Sequence, residues 1–100
     1  MTKATFVVTR SPGPAWNHDK PMREQVHWDI HARFMDQLSA ERFVIMGGPL
    51  VGTPDVLLIV EAENEQHARE TFQRDPWTPA GILTITNLRR WSVLLDSRKQ

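Results

Sequence analysis

The sequence predicts an α+β domain in which strands and helices alternate as βαββαβ, a four-stranded antiparallel sheet with two helices on one face. Three observations predict it. Residues 4–9 (ATFVVT), 42–46 (RFVIM) and 56–62 (VLLIVEA) are short runs rich in β-branched and aromatic residues, and GILTITNLRRWSVLLD from Gly81 onward is a fourth. Between them, residues 22–40 and the stretch after Asn64 carry apolar residues at helical spacing. Right-handed crossovers then leave the ferredoxin-like arrangement.

Each element follows from its local residues. RSPGPAWNHDKP, residues 10–21, holds three prolines and one glycine and reads as a long loop; loops of this length inside a compact domain are usually functional or disordered. The first helix is expected over residues 22–40. GGPLVGTPD, 47–55, is turn chemistry between the second and third strands. Asn64 caps the second helix, Glu65 lies in its first turn and Pro76 forces its end. The last strand is expected to break near Asn87. No repeat or second domain is visible, so residues 1–100 form one domain with a core of about 4–95.

VLLIV is apolar without alternation, as strands buried on both faces are. WSVLL and RFVIM are nearly so. With both helices on one side, the other sheet face would be a large apolar patch for a monomer. The expectation is a second copy packed sheet against sheet, a homodimer of the dimeric α/β barrel type.

Composition excludes several classes. Lys plus Arg and Asp plus Glu number 12 each, giving zero formal charge and no general attraction to nucleic acid or anionic membrane. The absence of cysteine removes disulfides, thiolate metal sites and cysteine nucleophiles. MTKATFVVTR lacks the apolar core of a signal peptide and no run approaches membrane-spanning length, so a cytoplasmic location is expected. The same topology serves RNA-recognition modules, but FVVTR and VLLIVEA carry none of the aromatic motif those use.

Topology brings the unusual residues to one edge of the sheet. The exit of the first strand, the start of the first helix, the exit of the second strand, the end of the second helix and the start of the fourth strand share it. Those positions carry SPGPAW, the His27–His31 region, GGPL and DPWTPAG. At roughly 100° per residue, Trp28, Phe34, Met35 and Leu38 form one apolar stripe and His31 falls close to its middle. A buried imidazole needs a partner, because an unsatisfied polar group costs on the order of 1–3 kcal/mol. On the second helix Ala68, Phe72 and Asp75 share a phase, so Asp75 tilts inward to offer one. A carboxylate on one ring nitrogen fixes the tautomer and leaves the other nitrogen free, the arrangement of an oriented general acid/base. A buried pair that merely ties two helices together fits the same pattern.

These residues resemble a family. H-x-x-F-M-x-x-L from His31, G-G-P-L after the second strand, V-E-A before the second helix and D-P-W-x-x-A-G from Asp75 are similar to the YciI-like (YCII-related) proteins, over roughly residues 4–94. The resemblance implies a ferredoxin-like fold, a dimeric α+β barrel and a site built around His31 and Asp75. Gly48 and Pro49 match the family's G-P turn. Its assigned roles imply proton-transfer eliminations or related chemistry on small organic molecules. The 10–22 loop is longer and richer in tryptophan and proline than the simplest family pattern.

The remaining candidates are weighed by position. His27 and His31 have the i, i+4 spacing of helical zinc sites, but Trp28 stands where that motif needs glutamate, so no metal is expected. Trp28 and Trp91 read as core or dimer contacts. Trp16 and Trp77, in loops at the site edge, are candidate ligand contacts. Arg10 and Arg23 are candidates to neutralise an anionic substrate, against the plainer reading of solvated arginines. Two functional classes follow. One is a cofactor-independent lyase or isomerase acting on a small anionic compound, with His31 as acid/base, Asp75 its orienter, and the GGP amides or an arginine stabilising negative charge. The other is a non-catalytic small-molecule binding or regulatory module using the same pocket. For the enzyme, His31→Ala and Asp75→Asn are expected to abolish turnover with little change in melting temperature.

Overall fold

The computed structural model describes residues 2–98. Along the chain come strand β1 (Ala4–Pro12), a single 3₁₀ turn (Met22–Glu24), helix α1 (Trp28–Ala40), strands β2 (Val44–Pro49) and β3 (Val56–Ala62), helix α2 (Glu65–Gln73) and strand β4 (Leu83–Arg90). The strands lie in the order β2-β3-β1-β4, every neighbouring pair antiparallel. This is the expected βαββαβ architecture, with α1 against β2 and α2 against β3 and β4. Among the described residues no helix is long and apolar enough to cross a membrane.

The pleat sorts side chains by parity. On β3, Val56, Leu58, Val60 and Ala62 are buried, while Leu57, Ile59 and Glu61 on the opposite face are only half-buried. On β1, Phe6, Val8 and Arg10 form the inward row. Leu38, Phe43, Ala68, Phe72, Trp77 and Ile82 close the core from above. Asn64 caps α2 as expected, its side chain accepting from the His67 amide.

Three boundaries differ from the sequence expectation, each for a local reason. The 22–40 segment is not one helix. Gln25 is buried, and its side-chain nitrogen donates to the carbonyls of Asn17 (2.8 Å) and Lys20 (2.9 Å) while its oxygen accepts from the Asn17 amide. These bonds satisfy the preceding loop and accompany extended backbone at Gln25. His27 then turns left-handed (φ 64°), and α1 starts at Trp28.

Strand β2 lies later than residues 42–46. Arg42 is left-handed (φ 64°) after the end of α1, and Gly47, Gly48 and Pro49 pair with Leu58, Leu57 and Val56. The glycines are therefore ladder residues as well as turn residues. A Cβ at Gly47 would overlap the tip of the Leu58 side chain, which would have to shift to admit it.

The last strand stops at Arg90 instead of running through WSVLL. Its expected break near Asn87 is a register shift: Thr9 pairs with Asn87 but Arg10 with Ile85, leaving Thr86 as the extra residue. After the Trp91 amide bonds to the Thr5 carbonyl (2.8 Å) the chain leaves the ladder. Trp91, Val93 and Leu95 then border a cavity of about 450 Å³ on the outer sheet face, with Ile45, Leu57 and Ile59.

The proline-rich loop is tied to the start of β4. The Gly13 amide bonds to the Ile82 carbonyl and the Ala15 amide to the Gly81 carbonyl, each at 2.9 Å. A Cβ on Gly13 would overlap the Gly81 backbone, which is held by hydrogen bonds: its carbonyl accepts from the Ala15 amide and its amide donates to the Thr78 carbonyl. Gly13→Ala is therefore expected to destabilise the domain by about 1–3 kcal/mol, the ordinary cost of overpacking. Urea or thermal unfolding measures it; an unchanged midpoint would mean that the loop does not pack against β4 this closely.

Candidate functional site

Three elements meet at the predicted edge. The inward row of β1 ends in Arg10, α1 contributes His31 from its apolar stripe, and Asp75 stands just past the end of α2. All three are buried: Arg10 is 1% exposed, His31 6% and Asp75 0%. Asp75 is held by the turn that follows α2, where its Oδ1 accepts from the Trp77 amide (2.9 Å) and its carbonyl from the Thr78 amide.

The carboxylate is shared. His31 Nδ1 lies 2.8 Å from Oδ2 and 3.0 Å from Oδ1, and Arg10 Nη1 donates to Oδ2 at 2.7 Å. Arg10 Nη2 donates to the Thr78 hydroxyl (2.9 Å), which in turn donates to the Phe72 carbonyl (2.6 Å). Burial alone would push the Asp75 carboxyl up. The hydrogen bonds from His31, Arg10 and the Trp77 amide outweigh it and hold the group below the ordinary carboxylate value, and a protonated His31 would add its charge in the same direction. An ionised carboxylate only accepts, so Nδ1 carries the ring proton and Nε2 is the free nitrogen. Nε2 has no protein partner and is not among the sealed polar atoms, so it opens on solvent.

His31 borders a cavity of about 460 Å³, together with Arg10, Trp28, three methionines (Met22, Met35, Met46) and Gly47, Gly48 and Pro49. That volume and this mostly apolar lining suit a small organic molecule. Asp36 and Ser39 add polar groups at its margin.

The sequence candidates divide by position. Arg10, His31, Gly48 and Pro49 border the cavity. Arg10 is not a solvated arginine; its terminal nitrogens are engaged with Asp75 and Thr78, and its Nε is buried without a partner. Trp77 has no exposed surface and stacks flat on the far side of His31, ring centroids 3.7 Å apart and planes 8° from parallel. Trp16 packs edge-on behind Trp77 and borders a separate shallow cavity with His18 and Lys20. Arg23 is exposed, its guanidinium over the outer side of Trp28 at 5.9 Å. Trp16, Trp77 and Arg23 therefore do not touch the cavity, because the tryptophans fill the layer behind the imidazole and α1 starts after Arg23.

Asp75 sits one bond behind the cavity, reaching it through His31. His27 is exposed at the start of α1, and no group of three or more His, Asp or Glu side chains placed to hold a metal ion occurs among the described residues. The cavity residues that sequence reasoning missed include Trp28, the methionines, Asp36 and Ser39. Trp28, read as a core or dimer contact, shares the helical stripe of His31 three residues away, which was the available signal.

The buried Arg10–Asp75 pair changes one stability expectation. Removing the charge of Asp75 strands a buried guanidinium, so Asp75→Asn should cost about 3–5 kcal/mol near neutral pH instead of leaving the melting temperature intact. The sign with pH follows from the lowered Asp75 value: its contribution is full above the unfolded carboxyl's value near 4 and is lost as pH falls through the lower folded value. Unfolding curves of parent and variant should therefore converge below about pH 4. A gap that stays constant down to pH 2 would contradict an ionised, buried Asp75.

Comparison with known proteins adds relatives to this geometry. No curated protein sequence matches. The solved structure of 5-chloro-2-hydroxyhydroquinone dehydrochlorinase (TftG) from Burkholderia phenoliruptrix AC1100, in complex with 2,5-dihydroxybenzoquinone, is similar, with a TM-score of 0.62 and 26% identity. The similarity covers 88% of this chain and 93% of that one. The family model described as the YCII-related domain matches residues 5–92, and the chain belongs to that family.

Proposed function

We propose that the protein is a cofactor-independent enzyme of lyase or isomerase type, with His31 Nε2 as the general acid/base in proton transfer on a small, anionic, ring- or carbonyl-containing compound. One observation carries this reading: an imidazole whose Nδ1 is committed to Asp75, and whose other nitrogen has no protein partner, borders a cavity of ligand size. A buried, oriented dyad of this kind exceeds what binding alone requires. The similar dehydrochlorinase, bound to a dihydroxybenzoquinone, supports both the elimination chemistry and the ring-shaped ligand.

The charges suit the chemistry. With His31 neutral, Arg10 and Asp75 cancel. When Nε2 takes a proton from the substrate, the imidazolium is stabilised by the Asp75 carboxylate, and the cluster becomes net positive beside the anion it has created. Arg10, already at the cavity wall, adds to the potential felt by a developing enolate or phenolate oxygen. In the reverse sense Nε2 returns the proton, either to another atom of the ring or to a departing group. Trp28 and the methionines give a flat ring an apolar, polarisable surface. The compound would be taken from solution in the cytoplasm.

The outer sheet face supports the expected homodimer. Val7, Leu57 and Ile59 lie on it half-buried and Met46 is exposed, and beside them Trp91, Leu94 and Leu95 are exposed. A second copy is the partner that would cover this surface without a new sequence.

The enzyme reading is tested by turnover. With 5-chloro-2-hydroxyhydroquinone and related hydroxyquinones as substrates, His31→Gln should lower kcat by about 10²–10⁴-fold while the unfolding midpoint stays close to the parent's. Chloride release and the quinone absorbance report it. Equal rates in parent and variant would remove His31 from the chemistry; tight binding with no conversion by the parent would favour the binding module. Separately, Ile59→Glu should convert a sedimenting dimer into monomer, and a parent that sediments as a monomer would dismiss the sheet-to-sheet pairing.

A further inference from the structure

The proton-transfer reading uses His31, Asp75 and Arg10 but leaves unused the residue that touches two of them. Trp77 is fully buried and engaged through three different groups. Its backbone amide donates to Asp75 Oδ1 at 2.9 Å. Its indole face lies against the imidazole of His31 at 3.7 Å, nearly parallel. Its indole Nε1 donates to the Val26 carbonyl at 2.7 Å, two residues before α1 begins. The Trp77 carbonyl then accepts from the Ile82 amide (3.0 Å), fixing the turn to the start of β4.

From this arrangement we infer that Trp77 is the positioning residue of the dyad, the side chain that sets the plane of the His31 ring and so the direction of Nε2. The inference rests on the proton-transfer reading for its purpose, but its geometry does not. Hydrogen bonds to Asp75 fix where Nδ1 lies and leave the ring free to swing about that contact. The carboxylate offers two oxygens at 2.8 and 3.0 Å, so it selects no single plane. A flat indole removes that freedom, since an imidazole rotated out of the stack would collide with it. Trp28 lies beside the stacked pair, 5.7 Å from each ring centroid and tilted by 49–50°, so it borders the edge of the stack. The negative potential of an indole face also keeps the stack favourable while the ring is protonated during a turnover. The anchor to Val26 ties the indole to the entrance of the helix that carries His31, so ring and support move as one body.

The role differs from core filling, and the experiment separates the two without any substrate. In ¹⁵N-histidine-labelled protein, the His31 Nδ1–H proton should give a downfield, slowly exchanging resonance, and the carbon-bound ring protons should be shifted upfield by the indole. Trp77→Phe, which keeps a flat face, should retain the Nδ1–H signal. Trp77→Leu, which fills space without one, should exchange it roughly tenfold faster, the upper end of what an aromatic stack is worth. Equal exchange in the leucine variant and the parent would reduce Trp77 to core filling and overturn the inference. Should the leucine variant fail to fold, the parent's ring protons decide: unshifted positions mean that no stack orients the ring. Loss of His31-dependent turnover by itself bears only on the proton-transfer reading, because none of these signals requires a substrate.

Discussion

The organisation of this protein depends on a single buried carboxylate. Asp75 lies at the junction of β1, α1 and the turn after α2, and each of these contributes a donor to it. A charge with no exposed surface is tolerated only when its lone pairs are met. Here they are met by a guanidinium, an imidazole and a backbone amide. One of the three bonds that make the carboxylate tolerable also fixes the position of His31 Nδ1. Stability and the proposed chemistry therefore meet at the same carboxylate, and substitution of Asp75 is expected to affect both at once.

The fold prepares this junction by simple rules. Strand parity sends Arg10 inward after Phe6 and Val8, the helical period sends His31 inward beside Phe34, Met35 and Leu38, and Pro76 helps end α2 so that Asp75 falls in a turn instead of on a helix face. The tight packing of Gly13 on Gly81 brings the long loop down beside the turn, where Trp16 meets Trp77 edge-on. Polar groups left over by the loop are gathered by the buried Gln25. The cavity is what remains between α1 and β2, with His31 at its wall.

Much of this was legible in the chain. The βαββαβ order, the inward phase of His31 and the tilt of Asp75 toward it follow from periodicity and topology, and the family resemblance agrees with the matched domain. What escaped has physical causes. An arginine at a strand exit reads as solvated by default, and only the register of β1 reveals that Arg10 continues the inward row. The tryptophans read as ligand platforms because they sit in loops at the right edge; loops fold back, and these two pack behind the imidazole. The division of residues 22–40 depends on long-range bonds made by one glutamine, which leave no periodic trace. The WSVLL segment has the composition of a strand but no ladder partner beyond Thr5 in a single chain.

The state of Asp75 is the most direct test of these relations. Side-chain ¹³C NMR of the Asp75 carboxyl, followed from pH 7 downward, reports its ionisation without perturbing the site. A carboxylate bonded by Arg10 and His31 should remain ionised through the range where ordinary aspartates take up protons, and protonate only below it. Protonation above the ordinary aspartate range would mean that burial dominates, that Nδ1 has no ionised acceptor, and that His31 is not held as an oriented base.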